Sequence, residues 1–203
     1  YEGLRDLRLD DAAARNAMDF LERQLQSTGR LPDDENIVIE HFSDPSGEHQ
    51  MMVHSIFGRS VNAGLALLVQ EAARRKTHMD VRSFDEDEGF LIYPYGGKDP
   101  LPEGLLRDIR PESARAILNA LLHATPLFNM AFRYNAGRSL MMGGRQGRRL
   151  PLGIQRLRGA QVLDGAVQQM DHPLMRETRR ECLEDYWNVP AIEEILRRVG
   201  DGR

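Results

Sequence analysis

Apolar residues in this chain change their period about halfway along. Ala14, Ala17, Met18, Leu21 and Leu25 recur at helical spacing behind Asp10-Asp11, so a helix is predicted over 10–28, closed by Thr28-Gly29. Pro32-Asp33-Asp34 then turns into the β-branched run 37–42. That run returns through Asp44-Pro45-Ser46-Gly47 as 50–54, which predicts a hairpin. After Phe57-Gly58, the stripe Leu65, Leu68, Val69 and Ala72 predicts a helix over 61–75, its basic end Arg74-Arg75-Lys76 suited to a helix C-terminus. Two more strands, 79–84 and 89–93, flank the acidic turn Asp85-Glu86-Asp87-Glu88. From Pro111 onward the period is helical throughout, with helices predicted near 112–123, 125–143, 151–169, 173–187 and 190–199. Pro151, Pro173 and Pro190 fall where a first turn accepts proline.

The expected fold class is therefore α+β, an antiparallel ββαββ sheet packed beside a C-terminal helical bundle. Three segments are expected: an N-terminal helix and linker over 1–35, a sheet subdomain over 36–100 and a helical subdomain over 101–203.

Composition narrows the class. With 203 residues, 41 % hydrophobic and 29 % charged, the chain can bury a core and is neither disordered nor fibrous. No apolar run reaches the roughly 18 residues that span a bilayer, so no membrane role is expected. The opening Tyr1-Glu2-Gly3-Leu4 has neither an initiator Met nor a secretory pattern, and reads as a fragment without a targeting segment. The single cysteine, Cys182, cannot form an internal disulfide. It fits a reducing, cytoplasmic setting and a buried place in a helix.

Charge is unevenly distributed. The net charge is -4, yet no acidic residue occurs between Ala131 and Leu163, where seven arginines lie: Arg133, Arg138, Arg145, Arg148, Arg149, Arg156 and Arg158. Such a block points to a polyanion or an acidic surface as partner. The loop Gly143-Gly144-Arg145-Gln146-Gly147-Arg148-Arg149 has the ingredients of an anion site, although a helix connection with solvated arginines has the same composition. Arg133 and Arg138 are five apart and Arg156 and Arg158 two apart, so each pair splays around its helix. Some of these arginines are expected to meet bundle carboxylates among Glu177, Glu181, Glu184, Asp185, Glu193 and Glu194. Asn135 and Arg138, three apart, are expected to share an exposed face. The candidate nucleic-acid contacts are thus Asn135 and the seven arginines.

Catalytic signals are weak. Neither Lys76 nor Lys98 follows a phosphate-binding glycine loop, and the six histidines lack metal-ligand spacing, so no catalytic residue, metal or cofactor is assigned to this chain. Ser55, Ser60 and Cys182 have no local partner that would make a nucleophile. Trp187 sits among acidic neighbours and is expected to seal the bundle with Leu183.

Four segments in order carry a family resemblance: Val53-His54-Ser55-Ile56-Phe57-Gly58, Phe132-Arg133-Tyr134-Asn135-Ala136-Gly137-Arg138, Gln155-Arg156-Leu157-Arg158, and the run from His172-Pro173 to Cys182-Leu183. Together they resemble the DEAD/H-associated region of the large helicase-related (Lhr) proteins, a superfamily 2 helicase family, over roughly Pro32 to Val199. The resemblance implies an accessory segment C-terminal to two motor domains and a winged helix. It also implies single-stranded nucleic acid, DNA by family habit, as partner, a role in DNA repair, and ATP and Mg²⁺ held by the parent protein's motor. Gly153 and Gly159 depart from the family pattern, and each should weaken a helix interior by about 1 kcal/mol. Two other readings stay open: a protein-interaction module gripping an acidic partner, and an enzyme that holds an anionic small molecule with Arg145, Arg148 and Arg149.

Overall fold

The computed structural model describes residues 9–96, 99–142, 151–166 and 171–202. The first helix, α1 (Asp11–Thr28), starts where Asp10 Oδ1 accepts from the backbone N–H groups of Ala12 (3.0 Å) and Ala13 (2.7 Å). Of its apolar stripe only Ala14 is buried, while Phe20, Leu21 and Leu25 are exposed.

Strands β1 (Val38–Ser43), β2 (His49–His54), β3 (Val81–Glu86) and β4 (Gly89–Pro94) form one antiparallel sheet in the order β1-β2-β4-β3. Helix α2 (Arg59–Thr77) separates the two hairpins. The α+β class and the ββαββ order are therefore those expected. Alternation along the strands turns Met51, Val53, Val81, Phe90 and Ile92 toward α2, and Ser83 Oγ donates to Gln70 Oε1 of that helix at 2.7 Å. Phe42 and Phe84 face outward and are exposed.

The strands lie within a residue of expectation except β3, which is shifted by two at both ends. Residues 79 and 80 lie outside β3, because α2 runs on to Thr77 and His78 closes it in the left-handed region at φ 58°. Asp85 and Glu86 belong to β3, with Glu86 paired opposite Gly89, so the turn is Asp87-Glu88 alone. Gly89, at φ 152°, has no room for a side chain: a Cβ there would lie 2.2 Å from the Val53 carbonyl oxygen.

The hairpin is tied to α2 by a buried polar pair. Ser55 Oγ donates to Asn62 Oδ1 at 2.7 Å, and Asn62 Nδ2 donates to the carbonyls of Ser55, Glu86 and Asp87 at 3.2, 3.0 and 3.0 Å. Arg59, next to the start of α2, reaches Asp85 at 3.1 Å. The 53–58 segment is thus a corner, where Asn62 satisfies backbone carbonyls that the sheet cannot.

The C-terminal half contains α3 (Pro111–Leu122), α4 (Pro126–Arg138), α5 (Leu152–Ala166), α6 (Pro173–Arg180), a π-helical turn over Glu181–Tyr186 and α7 (Val189–Gly200). Before α3, a run of turns without helix buries Leu101, Leu105, Leu106 and Ile109, a contribution to the core that shows no period in the sequence. The helix expected over 173–187 changes winding at Arg180. The backbone N–H of Trp187 donates to the Cys182 carbonyl at 3.0 Å, an i to i+5 bond, and Asn188 at φ 45° then turns the chain into α7. Trp187 and Leu183 are buried where the bundle closes. Cys182 is fully buried, which together with Glu181 pushes its thiol up to about 12.

One continuous cluster of buried side chains runs from Met51 to Leu196, through sheet, α2 and bundle. Gly64 marks its tightest point: a Cβ there would stand 2.3 Å from Ile192 Cδ1 of α7 and 3.7 Å from Leu118 Cδ1 of α3. Gly64→Ala is expected to lower stability by about 1–3 kcal/mol, read as a drop in denaturant midpoint, because fully buried Ile192 must leave its rotamer. A second expectation concerns pH. Burial, then the charge of Arg179, hold the His123 imidazole below its ordinary value, and its ring meets Phe128 edge-on at 4.5 Å. The fold favours the neutral ring, so the unfolded chain binds more protons just below that ordinary value. This contribution is complete above about pH 6.5 and is lost as pH falls through it toward the folded value. Melting temperature measured from about pH 7 to about pH 5 should fall more steeply in the wild type than in His123→Gln.

Candidate nucleic-acid interface

Helix α4 buries Phe128, Ala131, Phe132, Asn135 and Ala136, an i, i+3, i+4, i+7, i+8 stripe, and Thr125 caps its start by accepting from the Phe128 N–H at 3.3 Å. Asn135 is on the buried side, contrary to the expectation that it shares an exposed face with Arg138. The reason is a polar partner on α6 and the π turn. Asn135 Nδ2 donates to Thr178 Oγ1 at 3.2 Å and to Glu181 Oε2 at 2.6 Å, and Thr178 Oγ1 donates to the Leu174 carbonyl at 2.8 Å.

Arg138 lies over this network. Its Nη1 stands 3.6 Å from Glu181 Oε1 and donates to Asn135 Oδ1 at a long 3.5 Å. The Arg138 side chain is 73 % exposed, whereas that of Glu181 is only 16 % exposed. The carboxylate is therefore a recessed anchor, and the guanidinium keeps donors free for a solvent-side acceptor. Burial, then Glu181, raises the neighbouring Tyr186 hydroxyl above its ordinary value, with Arg138 acting in the opposite direction.

The other arginines divide. Arg133 is half-buried, its stem lying against Gly159 of α5, where a Cβ would sit 3.2 Å from Arg133 Cγ. Its guanidinium carbon is 5.5 Å from the centroid of the Tyr134 ring. Gly159 thus makes room for Arg133 between α4 and α5, while Gly153 has nothing within 4 Å of a Cβ. Arg158 is half-buried and donates to the Met142 carbonyl at 3.2 Å, and Arg156 is exposed. Arg145, Arg148 and Arg149, with the glycine-rich loop around them, lie outside the described residues.

The acidic side chains of the bundle largely serve other arginines. Arg180 pairs with Glu177 (2.8 Å) and Asp185 (3.1 Å), Arg115 with Glu184 and Glu193, and Arg197 with Glu194, while Glu181 turns to Arg138.

Sequence reasoning passed over Tyr134, 53 % exposed and one helical turn before Arg138, although an aromatic within a basic run is a readable signal. It had Glu181 among the carboxylates expected to meet these arginines, and the Arg138–Glu181 pair is one such meeting, but it passed over Thr178 as a partner of Asn135. Helix α4 itself ends at Arg138, not at 143 as expected, and Leu140 follows in the left-handed region at φ 61°.

Other chemistry is sparse. Among the described residues no three His, Cys, Asp or Glu side chains gather as a metal site, and none of the described helices is long and apolar enough to cross a membrane. Lys76 is paired with Asp108. A cleft of about 520 Å³ lies between the 30–37 linker, β1 and the end of α7, where Arg30, Arg107 and Arg198 alternate with Asp34, Glu35 and Glu103. Its mixed signs contrast with the basic face of α4.

A sheet-and-bundle module whose bundle carries an anchored, outward arginine is the class this geometry defines. The DEAD/H associated family model matches residues 31–203, and the chain belongs to that family. It is 33 % identical over 94 % of its length to the Lhr helicase/probable uracil glycosylase of Mycolicibacterium smegmatis, and 32 % identical over 92 % to the Lhr helicase/uracil glycosylase of Escherichia coli. It is 30 % identical over 97 % to the ATP-dependent helicase Lhr-Core of Methanothermobacter thermautotrophicus. The chain spans 13, 12 and 23 % of those three relatives. A solved structure, that of Mycobacterium smegmatis helicase Lhr bound to ssDNA and AMP-PNP, superposes with a TM-score of 0.82 at 32 % identity, over 94 % of this chain and 24 % of that one.

Removing the anchor tests the geometry. Asn135→Ala should cost about 1–3 kcal/mol in denaturant unfolding, because Thr178 and Glu181 lose a buried donor. Arg138→Ala should cost less than about 1 kcal/mol, since its ion pair is mostly solvent-exposed.

Proposed function

We propose that this chain is a non-catalytic accessory region of an Lhr-type ATP-dependent helicase, one wall of the path taken by single-stranded nucleic acid, with DNA as the polymer. Exposed Arg138 on α4 and Arg156 on α5 supply sequence-independent phosphate contacts, with half-buried Arg133 and Arg158 adding positive charge. Arg145, Arg148 and Arg149 belong to the same proposed set. The observation that carries this reading is the Arg138 guanidinium, held by a recessed Glu181 and buried Asn135 yet 73 % exposed. The likeness to an Lhr structure bound to ssDNA and AMP-PNP supports the choice of ligand.

ATP and Mg²⁺ belong, in this reading, to motor domains elsewhere in a longer polypeptide. Exposed Leu152, Ile154 and Leu157 on α5 and Phe20, Leu21 and Leu25 on α1 favour a second role, docking against the motor and winged helix.

Titration of single-stranded DNA against salt tests the phosphate role. Arg138→Ala should flatten the slope of log affinity against log salt by about 0.7, the share of one single-strand phosphate, with little change in melting temperature. An unchanged slope removes Arg138 from the interface. Should the wild type show no salt-dependent binding at all, the nucleic-acid reading fails and docking remains.

A further inference from the structure

Helix α4 ends in a Schellman motif. The Met141 N–H donates to the Ala136 carbonyl at 3.0 Å, and the Leu140 N–H to that of Gly137 at 3.2 Å. This pattern requires a left-handed residue between the helix and Met141, the place where glycine is usual. Gly29 fills the same role after α1 at φ 73°. After α4 the residue is Leu140, at φ 61°, where its Cβ crowds the following carbonyl. Backbone strain of this kind persists when the side chain has a use.

Among the described residues, packing supplies no such use. Leu140 is 86 % exposed, and the neighbouring Met141 is 44 % exposed. What stands beside it is cationic: Arg138, two residues back, 73 % exposed, in a stretch that has no acidic residue between Ala131 and Leu163. An exposed apolar residue two positions from an exposed guanidinium matches the two halves of a nucleotide in a single strand, a base face and a phosphate.

We propose that Leu140 is an apolar contact for an unstacked base of the strand whose phosphate Arg138 holds. This rests on the nucleic-acid reading above and adds a base-dependent component to it. The positive charge beside Leu140 favours a polyanion over an apolar protein surface as its occupant.

Leu140→Gly separates the two possible effects because they have opposite signs. Glycine relieves the left-handed strain, so the melting temperature should rise by about 2 °C. Binding is measured on the whole chain with an oligothymidylate and with an abasic sugar-phosphate oligomer of equal length. The wild type should bind the oligothymidylate more tightly than the abasic strand. Leu140→Gly should weaken oligothymidylate binding about three- to tenfold and leave abasic binding unchanged, whereas Arg138→Ala should weaken both. If oligothymidylate binding is the same in Leu140→Gly and wild type, the base contact is overturned and Leu140 is left to a protein partner, while the Arg138 contact stands. If the wild type binds neither oligomer, the nucleic-acid reading has failed and this inference falls with it.

Discussion

The close approach of α2 and α7 at Gly64 joins the two halves of this molecule. Helix α2 is buried on both sides, its Val61, Leu65, Leu68 and Val69 serving a cluster that spans sheet and bundle. Ile192 fits against Gly64 because no Cβ stands between them. Interiors packed at crystal-like density leave little slack, so a methyl group at Gly64 would have to displace the buried tip of Ile192. Trp187 and Val189, both buried, complete the seam on the π-turn side. The buried Ser55–Asn62 pair does comparable work two residues earlier in the same end of α2, where Asn62 holds the carbonyls of the β3–β4 turn.

A second constraint shapes the bundle surface. Asn135, Thr178 and Glu181 form a polar group between α4, α6 and the π turn, and a partly satisfied group of this kind would be costly. Each member has a partner: Thr178 reaches back to its own helix, Asn135 bridges, and Glu181 faces Arg138. The change of winding after Arg180 has the same locality, since it begins at Glu181. Wider turns of this type recur at functional sites. Here the effect is to bring a carboxylate under an exposed arginine.

The end of α4 combines two features. Its cap uses a strained leucine where glycine closes α1, and its last turn carries an anchored cation. Membership in the DEAD/H associated family gives the surface a context, because the chain corresponds to a quarter or less of its Lhr relatives. The exposed apolar side chains of α1 and α5 are the faces proposed to dock in that context.

Much of the fold was legible in the sequence because it rests on local period and local chemistry. Alternating apolar residues marked the strands, the 3.6-residue stripe marked the helices, and Asp10 and the helix-opening prolines marked starts. The basic block and its resemblance to a helicase-associated family were also written in order along the chain. Helix ends were less legible: α4 stops without glycine or proline, and the 173–187 helix changes winding without a breaker residue. Leu101 to Ile109 enter the core through turns, which have no period to read. The sequence by itself determined the elements, their order and the sign of the charged segment, since each depends on neighbours within a turn or two. Which arginines are spent inside and which face out was decided by tertiary structure alone. The stem of Arg133 packs on Gly159 and Arg138 faces Glu181, 26 and 43 residues further along the chain. Distances that long are closed only when the helices pack, so no spacing within α4 could have shown them.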